Sequence, residues 1–270
     1  KLAAALEDYV HGPHDDADDV PMEISASAIR EALAAGEIGP WYQPQVEFSN
    51  GRVVGVEALA RWVRADGHVV PPTHFIALLE REGLLEAMTD HMLTQACRDK
   101  RRWDQQGLRL TLSVNVSPTS LTLNSAADRY QRLVEAEGVD PADVILEITE
   151  SSVMADAARG LGVMARLRLK GFGLSIDDFG TGWSSLAQLS QVPFTELKID
   201  QGFVSGAHKQ PRKRAVVEAS LDLARKLDLK VVAEGVESVE DWQMLADLGC
   251  GIAQGTLISL PVPAARLPEV

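Results

Sequence analysis

Two consecutive acids, Asp177 and Asp178, stand between an apolar run and a glycine-rich turn in Ser175-Ile176-Asp177-Asp178-Phe179-Gly180-Thr181-Gly182-Trp183-Ser184-Ser185-Leu186. Phe172 to Ile176 reads as a short buried strand, and the Ser-Ser pair reads as a helix start. Paired carboxylates at a strand's C-terminal edge suit a metal site or acid–base chemistry. A plain surface turn with a helix cap uses the same residue types. Neighbours on a strand point to opposite faces. For both aspartates to serve one site, the strand is expected to end between them, with Gly180 and Gly182 allowing the break.

Other polar groups recur in the same way. Glu57 lies in Val56-Glu57-Ala58-Leu59-Ala60-Arg61-Trp62, Asn115 in Ser113-Val114-Asn115-Val116-Ser117-Pro118, and Glu147 in Leu146-Glu147-Ile148-Thr149-Glu150-Ser151. Lys198 and Asp200 close Leu197-Lys198-Ile199-Asp200, Glu234 follows Val231-Val232-Ala233, and Gln254 closes a short eighth run. Each alone is an ordinary cap or loop residue. A solvated edge, however, does not call for Glu57 inside an apolar run. If these ends meet, Glu57, Glu147, Asp177, Asp178 and Glu234 bring five negative charges to one cavity. Like charges about 4 Å apart repel by roughly 4 kcal/mol at intermediate dielectric. Such acids take up protons or bind cations. Oxygen donors with a single amide and no His or Cys select hard ions, Mg²⁺ or Mn²⁺. Two such ions roughly 3.5–4 Å apart clamp an in-line phosphoryl displacement and ionise the attacking water. The residues therefore suggest a two-metal phosphodiesterase, with Lys198 orienting the water or stabilising developing charge.

These side chains need a scaffold that gathers strand ends. The spacing predicts a helix from about Ser27 to Gly36, a strand over Trp41–Phe48, a turn at Ser49-Asn50-Gly51 and a second strand over Arg52–Trp62. Helices follow over Pro72–Arg81 and Leu84–Trp103. Further strands are expected at Leu108–Val116, Val144–Thr149, Phe172–Asp177, Thr195–Ile199, Lys230–Ala233 and Gly251–Gln254. Between them helices are expected near Ala126–Glu137, Ala155–Leu169, Ser184–Leu189, Arg212–Leu227 and Val239–Leu248. Eight strands in this alternation indicate an α/β fold, a (β/α)8 barrel of the TIM type. The opening hairpin makes one strand near the start antiparallel. An open doubly wound sheet is the alternative.

Composition narrows the function. The 270 residues are 46% hydrophobic and 24% charged, as in a soluble globular protein. No apolar run approaches the roughly 20 residues of a membrane span, so no membrane contact is expected of this stretch. A net charge of −13 disfavours nucleic acid as a partner. Cys97 and Cys250 read as reduced core thiols, and the bacterial cytoplasm is the expected location. Lys1 to Val10 has the Leu2, Leu6, Val10 spacing of an amphipathic helix, and His11 to Met22 reads as an acidic linker. The start at Lys1 suggests part of a longer chain. Residues 1–24 are assigned to a linker and the end of an upstream, receiver-like signalling domain, 25–265 to the barrel, and 266–270 to a tail. A frayed N-terminus of the same domain explains the first helix equally well.

The ordered motifs Tyr42-Gln43-Pro44-Gln45, Glu57-Ala58-Leu59 with Arg61, Asn115-Val116-Ser117, Glu147-Ile148-Thr149-Glu150, Asp177 to Gly182, Leu197 to Asp200, Ala233 to Glu237 and Gln254-Gly255 together resemble the EAL family of cyclic di-GMP phosphodiesterases. The resemblance runs from about Ala28 to Val262. It implies hydrolysis of cyclic di-GMP to linear pGpG with two Mg²⁺ or Mn²⁺ ions, and inhibition by Ca²⁺. It implies metal ligation by Glu57, Asn115, Glu147, Asp177, Asp178 and Glu234, with Asp177 bridging, and Lys198 acting on the nucleophilic water. Gln43, Leu59, Arg61 and Gln254 would hold substrate, and Glu150 would anchor the loop at Asp178–Gly182. Such barrels often form homodimers. With a doubly negative ligand, two divalent ions, Arg61 and Lys198, the site sums to about −1. Trp183, Gly251 and Thr256 depart from the usual family pattern, and none is a ligand position. A degenerate member that senses cyclic di-GMP without turnover is the main alternative. Such members typically lose ligands that are all present here. A proton-abstracting barrel enzyme of the enolase kind would not require Gln43 and Arg61.

Overall fold

A computed structural model describes residues 24–70, 72–150, 157–181 and 191–269. Lys1–Val10 and its linker, the expected Ser184–Leu189 helix, Gly182 and Trp183 lie outside the described residues.

Helix α1 (Ala26–Ala35) starts where the Ser25 side chain accepts a hydrogen bond from Ala28 N, and stops at left-handed Gly36. Strands β1 (Ile38–Glu47) and β2 (Val53–Val63) form the opening hairpin. Its turn is set by Asn50, whose Oδ1 accepts from Arg52 N while its amide donates to Glu47. The first strand begins at Ile38 rather than Trp41, because Ile38 to Pro40 pair in register with Ala60 to Trp62. The short β3 (Val69–Val70) then pairs with the end of β2. Helices α2 (Pro72–Arg81) and α3 (Leu85–Gln105) precede β4 (Thr111–Asn115). The chain continues through α4 (Ala126–Ala136), β5 (Val144–Thr149), α5 (Ala157–Leu169) and β6 (Gly173–Phe179). Then come β7 (Glu196–Ile199), the single-turn α6 (Gln201–Val204), α7 (Pro211–Lys226), β8 (Lys230–Ala233), α8 (Val239–Asp247), β9 (Ile252–Ala253) and β10 (Val262–Pro263). A closing 3-10 helix, Ala264–Glu269, buries Leu267.

Eight of the strands close a ring in the order β1-β9-β8-β7-β6-β5-β4-β2, and the β1–β2 pairing seals it. β1 runs antiparallel to β2 and β9, while β2 and β4 through β9 run parallel to one another. The expected barrel with one reversed strand is therefore the fold. Outside the ring, the helices supply much of the apolar packing. Met88, Met92, Leu93, Ala96 and Cys97 form the buried face of α3. Burial pushes the thiols of Cys97 and Cys250 up to about 12, and both are free.

One expectation fails at the paired aspartates. The strand does not end between them; β6 continues to Phe179. Instead its register against β7 shifts between Ile176 and Phe179, and Asp178 takes a left-handed φ of 55°. A bulge turns the second carboxylate without breaking the strand. Asp tolerates this backbone better than most residues.

Close backbone approach is strictest at Gly255. A Cβ there would lie 2.3 Å from both Val236 N and Val236 O. Gly255→Ala is expected to cost about 3 kcal/mol or more, at or beyond the upper end for overpacked sites. Gly39→Ala, where a Cβ would meet nothing within 4 Å, serves as the control. Urea denaturation of both variants checks the difference.

Candidate active site

Inward-facing residues alternate along each strand, and strand tilt sorts them into layers drawn from alternate strands. By this register Glu57, Glu147, Lys198 and Gln254 share one layer. Gln43, Asn115, Asp177 and Glu234 form the layer above, toward the mouth. Barrels of this type usually fill such layers with branched apolar side chains. Here they are polar, yet Glu57, Glu147, Lys198, Asp177 and Gln254 are all buried.

Lys198 is the hub. Its Nζ lies 2.7 Å from Glu234 Oε1, 3.1 Å from Glu147 Oε2, 3.2 Å from Glu57 Oε2 and 3.2 Å from Asp177 Oδ1. Gln254 ties the layers together. Its Nε2 donates to Glu57 Oε2 at 2.6 Å and to Gln43 Oε1 at 3.0 Å, while its Oε1 accepts from Gln45 Nε2. Asn115 Nδ2 donates to Glu57 Oε1 at 3.0 Å. Gln43 donates in turn to the Ser259 carbonyl.

One ammonium cannot balance this many carboxylates. Burial opposes the Glu57 charge, but Lys198 and the Gln254 hydrogen bond outweigh it and hold that carboxyl below its ordinary value. Glu147 goes the other way: burial first, then the Glu57 charge, raise it well above the carboxylate range. Burial lifts Glu234 to about 8, against the pull of Lys198. Asp178 is raised by burial and by Asp177 and Asp200. Burial disfavours the Lys198 ammonium, yet Glu147, Glu57 and Glu234 together raise it well above its ordinary value.

The donor set fits a hard cation. Ligand oxygens of Asp177, Asp178 and Glu234 all lie within 4.8 Å of one another. Glu147 Oε1 is buried with no hydrogen-bond partner, while Glu147 Oε2 and Asp177 Oδ1 share the one Lys198 ammonium. Orphaned carboxylate oxygens at a surplus of negative charge are what a divalent ion satisfies. Glu57, Asn115 and Glu147 adjoin this group but are drawn toward Lys198 and one another.

Leu59 and Arg61 line a cavity of about 390 Å³ that Asn115 also borders, with Pro72 and Ile76 of α2 on its far side. Glu150 is buried, and its Oε2 accepts from Gly180 N at 3.0 Å, just beyond the bulge. A Cβ on Gly180, whose φ is 101°, would stand 2.8 Å from the Phe203 ring. The departures at Gly251 and Thr256 sit outside the acid cluster, and Trp183 is not among the described residues. A second cavity of about 350 Å³ lies at the opposite end, where Lys100 pairs with Asp104 and Asp143. It has a balanced charge and no acid cluster.

Gln45, Ser113, Ser175 and Glu196 were not anticipated as part of the polar interior. A signal for them exists. Each stands two residues from a site residue: Gln45 from Gln43, Ser113 from Asn115, Ser175 from Asp177, Glu196 from Lys198. Polar residues at i and i+2 on one strand share a face.

The EAL domain model matches residues 26–261. The cyclic di-GMP phosphodiesterase RocR of Pseudomonas aeruginosa is 36% identical over 251 residues, 91% of this chain and 64% of the relative. The bifunctional diguanylate cyclase/cyclic di-GMP phosphodiesterase MucR of the same organism is 38% identical over 240 residues, 88% of this chain but 35% of the relative. Among solved structures, a MucR phosphodiesterase in complex with c-di-GMP superposes with a TM-score of 0.85 at 38% identity, covering 89% of this chain and 98% of that one. The EAL enzyme Bd1971 in its cGMP-bound form gives 0.85 at 31% identity, covering 99% and 73%. This chain thus spans under two thirds of the length of either curated relative. No helix among the described residues is long and apolar enough to cross a membrane.

The raised carboxyls set a pH dependence. Glu234 binds its proton up to about 8 in the folded chain, against an ordinary carboxylate value when unfolded. Between those values the folded state holds more protons, so stability falls with rising pH. It is fully present below the unfolded value and lost through about pH 8. In EDTA, Tm is expected to fall between about pH 5 and about pH 9, and saturating Mn²⁺ is expected to flatten the fall. Differential scanning calorimetry checks this; a flat or rising Tm in EDTA contradicts it.

Proposed function

The chain belongs to the EAL domain family, and we propose that it hydrolyses one phosphodiester of cyclic di-GMP to linear pGpG in a reaction that needs Mg²⁺ or Mn²⁺. The observation that carries this reading is the surplus of buried carboxylates around the single Lys198 ammonium, with Glu147 Oε1 left without a hydrogen-bond partner. The printed activities of RocR and of the MucR complex agree with it.

Asp177, Asp178 and Glu234 would hold one ion, and Glu57, Asn115 and Glu147 would complete a second, adjoining set. Bound ions supply Lewis-acid charge at the scissile phosphate and make a water nucleophilic near neutral pH. Lys198 is a donor only, so its ammonium orients the attacking water and offsets charge building on the phosphate oxygens. Gln254 fixes Glu57 and Gln43 relative to each other through one amide nitrogen. Arg61 and Leu59 border the cavity that would accept a guanosine arm of the substrate, and Gln43 stands above Gln254. Glu150 holds the loop after Asp178 through Gly180 N, which keeps the second aspartate turned inward.

Barrel residues 25–265 act as the catalytic unit in this proposal. Residues 1–24 link it to an upstream signalling domain, and the 3-10 helix Ala264–Glu269, whose Leu267 is buried in the core, closes the barrel rather than forming a tail. The length of the curated relatives supports further domains in the native chain. Pairing of two barrels into a homodimer is part of the same proposal.

Turnover of cyclic di-GMP, followed by chromatography of pGpG, is expected with Mg²⁺ and with Mn²⁺. Ca²⁺ is expected to bind and inhibit, because its looser coordination misplaces the water. Glu57→Ala is expected to lower kcat by about 10²–10³-fold or more, the scale of losing one transition-state stabilising group. Tight cyclic di-GMP binding with no turnover in any metal would favour a sensor instead.

A further inference from the structure

The layer beneath Glu57, Glu147, Lys198 and Gln254 holds Gln45, Ser113, Ser175 and Val232 by the same register. Glu196 rises into it from the layer below. Ser113 and Ser175 are 0% exposed and Glu196 is 2% exposed. Ser113 Oγ, Ser175 Oγ and Glu196 Oε1 make no hydrogen bond of good geometry among the described residues, though the Ser175 hydroxyl lies beside the Glu196 carboxyl.

Their placement is not scattered. Asn115, Glu147, Ser175 and Glu196 are successive register partners across β4, β5, β6 and β7. This single cross-strand row runs from the mouth of the site down to Glu196. Glu147, in the middle of it, has Oε1 unpartnered while its Oε2 faces Lys198. Gln45, in the same layer, donates to Gln254 Oε1 rather than to either serine.

A buried polar group left unpaired costs about 1–3 kcal/mol. Native interiors satisfy such groups with protein or with ordered water. Water needs a polar site with room and two or more partners. Two serines supply the room, since they stand where this fold usually carries branched side chains. The two hydroxyls, the Glu196 oxygen and the Glu147 carboxyl supply the partners. Burial pushes the Glu196 carboxyl up, opposed first by the neighbouring Ser175 hydroxyl and then by Lys198 and Lys230. Whether charged or neutral, its oxygens accept hydrogen bonds.

We infer that the barrel holds an internal water site one layer below the acids, bound by Ser113 Oγ, Ser175 Oγ and Glu196 Oε1, and that this water hydrogen-bonds the underside of Glu147. Glu196 is then a positioning residue. It acts through the water and Ser175 on a carboxylate that itself faces the metal side. Only the metal-binding arm of the test rests on the proposed function.

A crystal structure of the unmodified chain at a resolution that shows ordered solvent is the first test. Density at hydrogen-bond distance from all three atoms is expected. A dry interior in which the three side chains bond to one another overturns the site, and so does a peak with the short, multiple oxygen distances of a metal cation. Calorimetric titration with Mn²⁺ is the second test. Glu196→Leu is expected to weaken Mn²⁺ binding about 10-fold, the scale of losing an outer-shell partner, while Glu196→Gln stays near the unmodified protein. Unchanged Mn²⁺ affinity in a folded Glu196→Leu variant overturns the positioning role. If the unmodified chain binds no Mn²⁺, the metal reading fails, and the solvent density alone decides the water site.

Discussion

Every part of the barrel interior answers to one electrostatic imbalance. Four carboxylates, from Glu57, Glu147, Asp177 and Glu234, surround the single ammonium of Lys198 at 2.7–3.2 Å. Inside a protein such charges are weakly screened, and uncompensated ones are costly. The chain meets the excess in two ways: Glu147 and Glu234 are driven toward their protonated forms, and Lys198 is locked as a cation. Neither is a comfortable resting arrangement. Divalent charge at such a site would lower its free energy, and under the proposed function that coupling would link folding to metal binding.

The fold makes such a core tolerable by moving apolar burial outward. Helix α3 and its neighbours pack against the outer faces of the strands, where Val56, Leu112, Val114, Leu146 and Ile176 are buried. That outer shell leaves the inner face free for chemistry. Fine placement then comes from local backbone devices. The bulge at Asp178 turns one carboxylate, Glu150 pins the backbone just after it, and Gly255 lets the chain pass Val236 at a distance no side chain permits.

Much of this was legible in the sequence. Alternating strand and helix patterns gave the closed α/β barrel, and Ser49-Asn50-Gly51 gave the hairpin that reverses β1. The strand-end positions of Glu57, Asn115, Glu147, Asp177, Lys198, Glu234 and Gln254 pointed to one gathered site, and they do converge. Strand limits were less legible: β4 begins at Thr111, not Leu108, and β9 shrinks to Ile252–Ala253. Apolar flanks extend the pattern beyond the residues that pair. The bulge at Asp178 was missed because glycine nearby offered a simpler break, whereas a positive φ on an aspartate leaves no compositional mark. The polar underlayer of Gln45, Ser113, Ser175 and Glu196 carries no strand-end signal, since each residue lies two positions inward from a site residue within its strand.

Lys198 serves as the counter-ion of an acid cluster that divalent metal would otherwise neutralise. Urea unfolding of Lys198→Met, with EDTA and with saturating Mn²⁺, tests it most directly. Removing one partner of a buried ion pair typically costs about 3–5 kcal/mol. A loss of that order relative to the unmodified chain is expected in EDTA, with most of it recovered in Mn²⁺. An equal loss in both conditions, or no loss in either, would contradict it.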